Sequence, residues 1–434
     1  MAVYPPFIQQ FIADFQQKRW AAQPFERALE IVTLHPEQLV PFINALVTEL
    51  PEGGTFLDVL FSFLPLRDFP EIVQHALRQY QKNKQHENER NEAVASVLAY
   101  STLQCLPSVH PHLPTIFESG VNEDTYYSEW PWREADAEAL PFLQAVLADT
   151  QRGDEERVRA WLALLETRHP ILMDFAHRNV DRVPLTLDPS LYYREVGYEL
   201  RGDHLEAVYP QKCYHLLFAP DYFDNASRPA WMRTTFHPTW NLADPVSGPH
   251  RFGGSLAETV PAGCPSCGGR LHHMITLDPI PNDLGITGLG SLTLATCLSC
   301  LGWEPEKLFY HHGASGQPEA IGLSGEPKTP EFPASPFRLS EVRLVETPPR
   351  WRWQSWGASN GRENLHRVGG FPCWIQGAEH PACPACEGTM HFLMQMDSDL
   401  PTTDGREWLW GSGGMGYVFW CDGCNISNVS WQCT

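Results

Sequence analysis

The chain has 434 residues, 43% hydrophobic, 12% aromatic and 19% charged. That is enough apolar material for several packed cores, so wholesale disorder is excluded, and the length predicts about three domains. The 31 Lys and Arg against 52 Asp and Glu leave a net charge of -21, a field that repels phosphate backbones and anionic lipid and suits a basic protein partner.

Met1-Ala2-Val3-Tyr4-Pro5-Pro6 lacks the basic start and unbroken apolar run of a secretory signal. No stretch of about 18 apolar residues occurs, so no spanning helix is expected. These features predict a cytoplasmic protein with no membrane partner.

Residues 1–180 carry helical periodicity in short blocks. Phe7, Ile8, Phe11, Ile12 and Phe15 form one stripe of a first helix. Further blocks run over 25–34, 37–50, 55–64, 70–80, 91–103, 135–150 and 155–167, with prolines near their edges. They predict an α-helical domain over 1–180, either a HEAT-like array or an irregular bundle. From Asp181 the texture turns to short aromatic and β-branched runs, such as Tyr192-Tyr193-Arg194-Glu195-Val196 and Cys213-Tyr214-His215-Leu216-Leu217-Phe218, which read as strands. Residues 311–336, rich in Gly, Pro, Ser and Ala, read as a linker or long loop. The fold class expected is α+β: helices first, then a β-rich duplicated region, 181–310 and 337–434.

The duplication is visible in five elements that recur in one order. The first copy has His250-Arg251-Phe252-Gly253-Gly254, Cys264-Pro265-Ser266-Cys267, Leu271 to Asp278, Gly290 to Thr296, and Cys297-Leu298-Ser299-Cys300. The second has His366-Arg367-Val368-Gly369-Gly370, Cys383-Pro384-Ala385-Cys386, Met390 to Asp397, Gly416 to Trp420, and Cys421-Asp422-Gly423-Cys424.

Eight of the 12 cysteines therefore sit in four Cys-x-x-Cys pairs. In a large chain with no export signal, such pairs read as metal sites rather than disulfides. A Cys-x-x-Cys turn presents two sulfurs on one tight knuckle, and Zn2+ takes four such ligands in a tetrahedron. Each copy reads as knuckle, strand, loop, strand, knuckle, the order of a zinc ribbon. Two structural Zn2+ ions are expected, on Cys264, Cys267, Cys297 and Cys300 and on Cys383, Cys386, Cys421 and Cys424. All four positions of each come from protein, so neither ion keeps a place for water. Cys105, Cys213, Cys373 and Cys433 lack partners at ligand spacing and read as small buried hydrophobes. His272, His273 and His391 follow a knuckle and are lesser candidates to replace a cysteine.

Two other motifs invite a binding role. His250-Arg251 and His366-Arg367 each precede a Gly-Gly pair, which fits either two related ligand loops with an Arg fork or two tight turns needing glycine dihedrals. Arg350-Trp351-Arg352-Trp353 interleaves cations and aromatics, which fits either stacking on single-stranded RNA or a strand with Trp inward and Arg outward. Nucleophile elbow, Walker loop, dinucleotide fingerprint and His-Glu-x-x-His are all missing from the sequence, so a non-enzyme is expected.

The second copy resembles a known family. His366-Arg367-Val368-Gly369-Gly370-Phe371-Pro372-x-Trp374-Ile375-Gln376, Phe392-Leu393-x-Gln395-x-Asp397, Gly416-Tyr417-Val418-Phe419 and Trp431-Gln432-Cys433 resemble the YwqG-like family, a bacterial domain of unknown function. That family is similar to eukaryotic programmed cell death protein 2 and its ribosome-assembly relatives. The resemblance covers about 360–434, weakens over 190–310 and does not reach 1–180. In the first copy Ser255 replaces the aromatic after Gly-Gly, and no Trp-Ile-Gln follows. The resemblance adds Trp374, Gln376 and Gln395 to the binding candidates His250, Arg251, Arg350, Arg352, His366 and Arg367. It implies a non-enzymatic protein-binding protein, an immunity protein or a dedicated chaperone for a basic client. The alternative is an RNA-binding or RNA-processing factor linked to ribosome assembly.

Overall fold

The computed structural model describes residues 4–17, 24–50, 60–83, 91–121, 125, 127–219, 221–223, 247–256, 263–302, 308–322, 329–330, 332–354, 356 and 363–433. The chain divides into two compact units, Met1–Glu206 and Ala207–Thr434.

The first unit is helical. Its longer helices span Pro6–Gln17, Pro24–Leu34, Leu39–Glu49, Phe69–Asn83, Glu92–Gln104, Leu140–Ala148, Asp154–Glu166, Pro170–Arg178 and Pro189–Glu195. Proline at the first helical turn recurs because its fixed φ suits that position and no N–H is lost there. Consecutive helices pack on one another, 69–83 on 92–104, 140–148 on 154–166, and 154–166 on 170–178. The central helix, Glu92–Gln104, is buried from Ala93 through Leu103, so apolar residues surround it rather than forming a stripe. Tyr100 meets Tyr127 and Trp130 edge-on. Glu166 lies largely buried between Arg133 at 3.1 Å and Arg168 at 2.8 Å. Burial alone would raise its pKa, but the two guanidiniums outweigh it and hold the carboxylate low.

Two expectations about this region are corrected. Tyr192 to Glu195 is helix, because the Asp188 side chain accepts the Ser190 N–H at 2.8 Å and Pro189 follows it, a strong helix start that overrides aromatic β-propensity. The helical domain therefore passes residue 180, and the compact unit closes at Glu206 after a small antiparallel pair, β1 (Tyr198–Arg201) with β2 (His204–Ala207). Of the block over 55–64, residues 55–59 lie outside the described residues, Leu60 is helical and Phe61–Phe63 is one 3-10 turn.

Among the described residues the second unit is built on one antiparallel sheet of eleven strands. They are β3 (Cys213–Phe218), β4 (Ser247–Phe252), β5 (His272–Leu277), β6 (Leu292–Thr296), β7 (Phe309–His312), β8 (Pro318–Ala320), β9 (Ser340–Glu346), β10 (Arg367–Gly369), β11 (His391–Asp397), β14 (Met415–Cys421) and β15 (Ile426–Gln432). A side pair, β12 (Leu400–Pro401) with β13 (Glu407–Trp408), completes it. The order across the sheet is β6-β5-β4-β9-β3-β10-β11-β14-β15-β7-β8. Thr293 N–H on β6 donates to Gly316 O at 2.9 Å, so the sheet curls until the β7–β8 turn meets its first edge.

The two copies are equivalent in detail. β4 pairs with β5 and β10 with β11, and each second strand then pairs onward, β5 with β6 and β11 with β14. Both onward pairs carry a register shift at the same place, between His273 and Ile275 and between Phe392 and Met394. Their leading strands are exchanged. β3 precedes the first copy yet pairs with β10 of the second; β9 precedes the second copy yet pairs with β4 of the first. The β3–β9 pair joins the halves, with Leu216 opposite Leu344.

Residues 181–310 and 337–434 are therefore interleaved in one sheet rather than separate domains. The linker expected over 311–336 contains the end of β7, all of β8 and the turn that closes the sheet. Strands of three or four residues are too short to show alternation. Residues 323–328 and 331 of that stretch lie outside the described residues.

Candidate metal centres

Each copy folds back so that its two knuckles meet. The sulfurs of Cys264, Cys267, Cys297 and Cys300 lie within 4.8 Å of one another, and so do those of Cys383, Cys386, Cys421 and Cys424. The grouping is within each copy. Cys267 and Cys297 are 3.8 Å apart, sulfur to sulfur, and Cys386 and Cys421 are also 3.8 Å apart. A tetrahedron with metal–sulfur bonds of about 2.3 Å has edges of about 3.8 Å. A disulfide would need about 2.05 Å. Both groups could hold a metal ion.

The knuckle turns are alike. Cys264 N–H donates to Gly269 O at 2.7 Å, and Cys383 N–H donates to Gly388 O at 2.8 Å. The fourth residue after each first cysteine has left-handed backbone: Gly268 at φ 67° and Glu387 at φ 61°. In the first copy the N–H groups of Ser266 and Cys267 point at Cys264 Sγ, at 3.4 and 3.5 Å. Such donors hold sulfur as thiolate. The Cys264 thiol is brought down to about 5, first by the Cys297 thiol and then by these backbone groups against burial. Cys297 is pushed the other way, first by that same thiol, and burial raises Cys300 to about 12. In the second copy the Gly388 N–H chiefly lowers Cys386, while burial raises Cys421 and the Cys386 thiol raises Cys424. Four thiolates this close would repel one another, and a bound divalent cation would relieve that repulsion.

The centres differ in exposure. All four sulfur residues of the first are buried; in the second only Cys383 is, and Cys386 is exposed. The first is braced by His272, whose Nδ1 accepts the Leu298 N–H at 3.2 Å while Nε2 donates to Ala334 O at 3.0 Å. Tyr310 Oη accepts the Cys297 N–H at 3.3 Å. At the second, Asp422 accepts the Thr287 N–H and hydroxyl, both at 2.7 Å, which ties its knuckle to a loop of the first copy. Sequence spacing gave no sign of Tyr310, Thr287 or Asp422. His273 binds Gly253 O and Thr276 instead of a metal.

The His-Arg-x-Gly-Gly elements form framework. His250 Nδ1 accepts the Asp278 N–H at 3.1 Å, and His366 Nδ1 accepts the Asp397 N–H at 3.2 Å. Burial lowers both imidazole pKa values, His366 to about 3. Arg251 donates to Ser255 O and Arg367 to Phe371 O, the same four-residue bridge. Arg367, 1% exposed, also donates to Trp351 O at 2.9 Å and to Gln395. Gln395 accepts the Cys373 N–H and donates to Leu365 O, both at 2.9 Å. The glycines are required: a Cβ on Gly369 would lie 2.1 Å from Lys212 O. His250, His366, Arg367 and Gln395 are thus buried in internal bonding rather than aimed at a ligand.

Trp374 packs on Tyr417 and His380, and Gln376, exposed, donates to Cys433 O. The Arg/Trp segment is a 3-10 helix, Pro349–Trp353, not a strand. Trp351 and Trp353 are buried, and the Arg352 carbonyl accepts from Arg367. The Arg350 side chain lies outside the described residues. A further group, His110, Asp136 and Glu138, is partly exposed; Asp136 caps a helix start and bonds His110 at 3.3 Å.

A groove of about 530 Å³ opens beside the first centre, lined by knuckle residues Leu298 and Ser299 and by Phe332, Trp408, Trp410 and Trp431. Trp408 lies in β13, and Trp410, fully buried, donates to Asp397 O at 3.0 Å. Phe332 and Leu409, both large and apolar, are exposed on this face, which sequence spacing did not indicate. Among the described residues no helix is long and apolar enough to cross a membrane.

No family model matches the chain, and no solved structure matches it. It is similar to the uncharacterized protein YpfL of Salmonella typhimurium, 25% identical over 307 residues that make up 67% of this chain. The match spans 62% of that relative's length.

Proposed function

We propose that the chain is a zinc-stabilised protein-binding protein whose client is basic, an immunity protein or dedicated chaperone, and that the metal centres are structural. Cys264, Cys267, Cys297 and Cys300 would hold one Zn2+ and the second set the other. Each ion closes the open end of a zinc-ribbon hairpin and supplies cross-linking rather than chemistry. The observation that carries this reading is the pair of four-sulfur groups at tetrahedral spacing, each with its whole ligand shell drawn from protein. The net charge of -21 supports a basic client. The resemblance of 366–433 to the YwqG-like family belongs to the same reading. The RNA alternative is weaker, because the tryptophans that would stack on bases are buried.

Elemental analysis of the purified chain tests the metal part; two Zn per chain is the expected content. Affinity capture from the native host tests the rest, with a stoichiometric partner of high isoelectric point expected. Metal-free folded protein, or capture of nothing but nucleic acid, would overturn the corresponding half.

A further inference from the structure

The groove beside the first metal centre has a construction that the framework does not need. Its floor is Trp410, fully buried, and Trp408 crosses it edge-to-face at 5.7 Å and 80°. Trp431 and Phe332 form the sides, and Phe332 is 59% exposed. An aromatic side chain left this open beside other rings is costly in water unless something covers it.

The sides are held rather than loose. Trp431 Nε1 donates to Leu301 O at 3.3 Å. The strand of chain bearing Phe332 is clamped at Ala334, whose N–H donates to Ser299 Oγ at 2.9 Å and whose carbonyl accepts from His272. Ser299 lies inside the Cys297–Cys300 knuckle, so the segment bearing Phe332 is bonded directly to that knuckle.

Charge on the rim points to the ligand. Asp404 is taken by Arg406 at 2.6 Å and also bonds Ser335 and Thr402. Exposed Glu407 has no ion-pair partner among the described residues. Indole faces attract cations, and a carboxylate beside them adds a charge-assisted bond. The unit carrying the groove has 14 basic and 21 acidic residues, so the wider field has the same sign.

We propose that this groove takes an arginine or lysine side chain from an extended segment of the client, stacked on Trp408 and Trp431 with its charge at Glu407. The proposal rests on the protein-binding reading above and deepens it to a site and a side-chain class.

The test is a titration of intrinsic tryptophan emission with acetyl-Gly-Arg-Gly-Arg-Gly-amide and with its Gln-for-Arg counterpart. The arginine peptide is expected to bind about tenfold more tightly than the glutamine one, an advantage that added salt erodes. Glu407→Gln should weaken it about threefold or more and Trp408→Ala about tenfold, while Asp203→Asn, an exposed acid in the helical unit, leaves it unchanged. Zinc content and circular dichroism of each variant report folding, and Glu407→Gln, on an exposed side chain, carries the test if Trp408→Ala does not fold. Equal affinity for both peptides, or wild-type affinity in Glu407→Gln, overturns the proposal. Self-association competing with the peptide also overturns it, since the occupant is then a second copy. If the host client still binds a folded Trp408→Ala chain as before, the groove assignment fails and the protein-binding reading stands; if the wild-type chain captures no client, that reading fails first.

Discussion

The buried imidazole of His366 makes the second unit sensitive to acid in a way that one substitution should isolate. His366 accepts the Asp397 N–H at 3.2 Å and stacks on Phe223 and against Phe218. Burial lowers its pKa from 6.5 to about 3. A base whose folded value lies below its unfolded one takes its proton in the unfolded chain first. Its contribution to stability is therefore whole above about pH 6.5 and declines as the pH falls toward 3. Between about pH 7.5 and 5.5 the unfolded imidazole gains protons and the folded one does not, which costs about 1.4 kcal/mol. His366→Asn keeps an acceptor near the Nδ1 position and removes the titration. Urea unfolding of wild type and variant at the two pH values gives the measurement. The variant starts less stable, because ring contacts are lost, but its loss of stability over this range should be smaller than wild type's by about 1.4 kcal/mol. Effects of acid on the metal centres occur in both proteins and cancel in the difference. Identical losses in the two proteins would refute the claim that His366 is held neutral.

The remaining predictions concern the metal centres and the turns around them. Cys264→Ser should bring zinc content from the proposed two ions per chain to one and lower the thermal midpoint more than Cys386→Ser, because the first centre is buried and its second knuckle is bonded to Tyr310 of β7; equal midpoint shifts in the two variants would contradict this. Gly316→Ala puts a Cβ 1.9 Å from Ser291 O at φ 67° and should destabilise by about 2 kcal/mol or more, whereas Gly285→Ala, at φ 69° with open space, should cost about 1 kcal/mol; denaturant midpoints compare them. Glu387→Gly removes a left-handed non-glycine residue at φ 61° and should not destabilise the chain, with a gain of up to about 1 kcal/mol read by the same assay. Asp422→Asn loses a charged acceptor for Thr287 and should speed zinc release from the second centre to a chromogenic chelator, leaving the first at its wild-type rate.

The cysteine groups were legible because ligand chemistry fixes both residue type and spacing. The duplication was legible because the equivalent turns need the same His, Arg and Gly residues. Most of the longer helices could be located to within a few residues, Glu92–Gln104 among them although it is buried all round, but Leu113–Ser119 and Pro170–Arg178, each short and opened by a proline, were not. The pairing of β3 with β10, and of β9 with β4, could not be read. Any apolar strand of suitable length fits beside another, and partner choice rests on contacts far apart in the chain. Residues 311–336 were misread because their strands are too short for a period and their turn is rich in Gly. The groove was missed because Phe332 and Trp431 are about a hundred residues apart, and only folding brings them beside Trp408.

The exchange of leading strands has a consequence for how this unit can be divided. A break in the backbone after β8 would yield an amino-terminal fragment that keeps β3 but lacks β9, and a carboxy-terminal fragment with the reverse deficit. Neither fragment could finish its own half of the sheet, yet each carries the piece missing from the other. The two fragments are therefore complementary, and the full sheet needs both of them together.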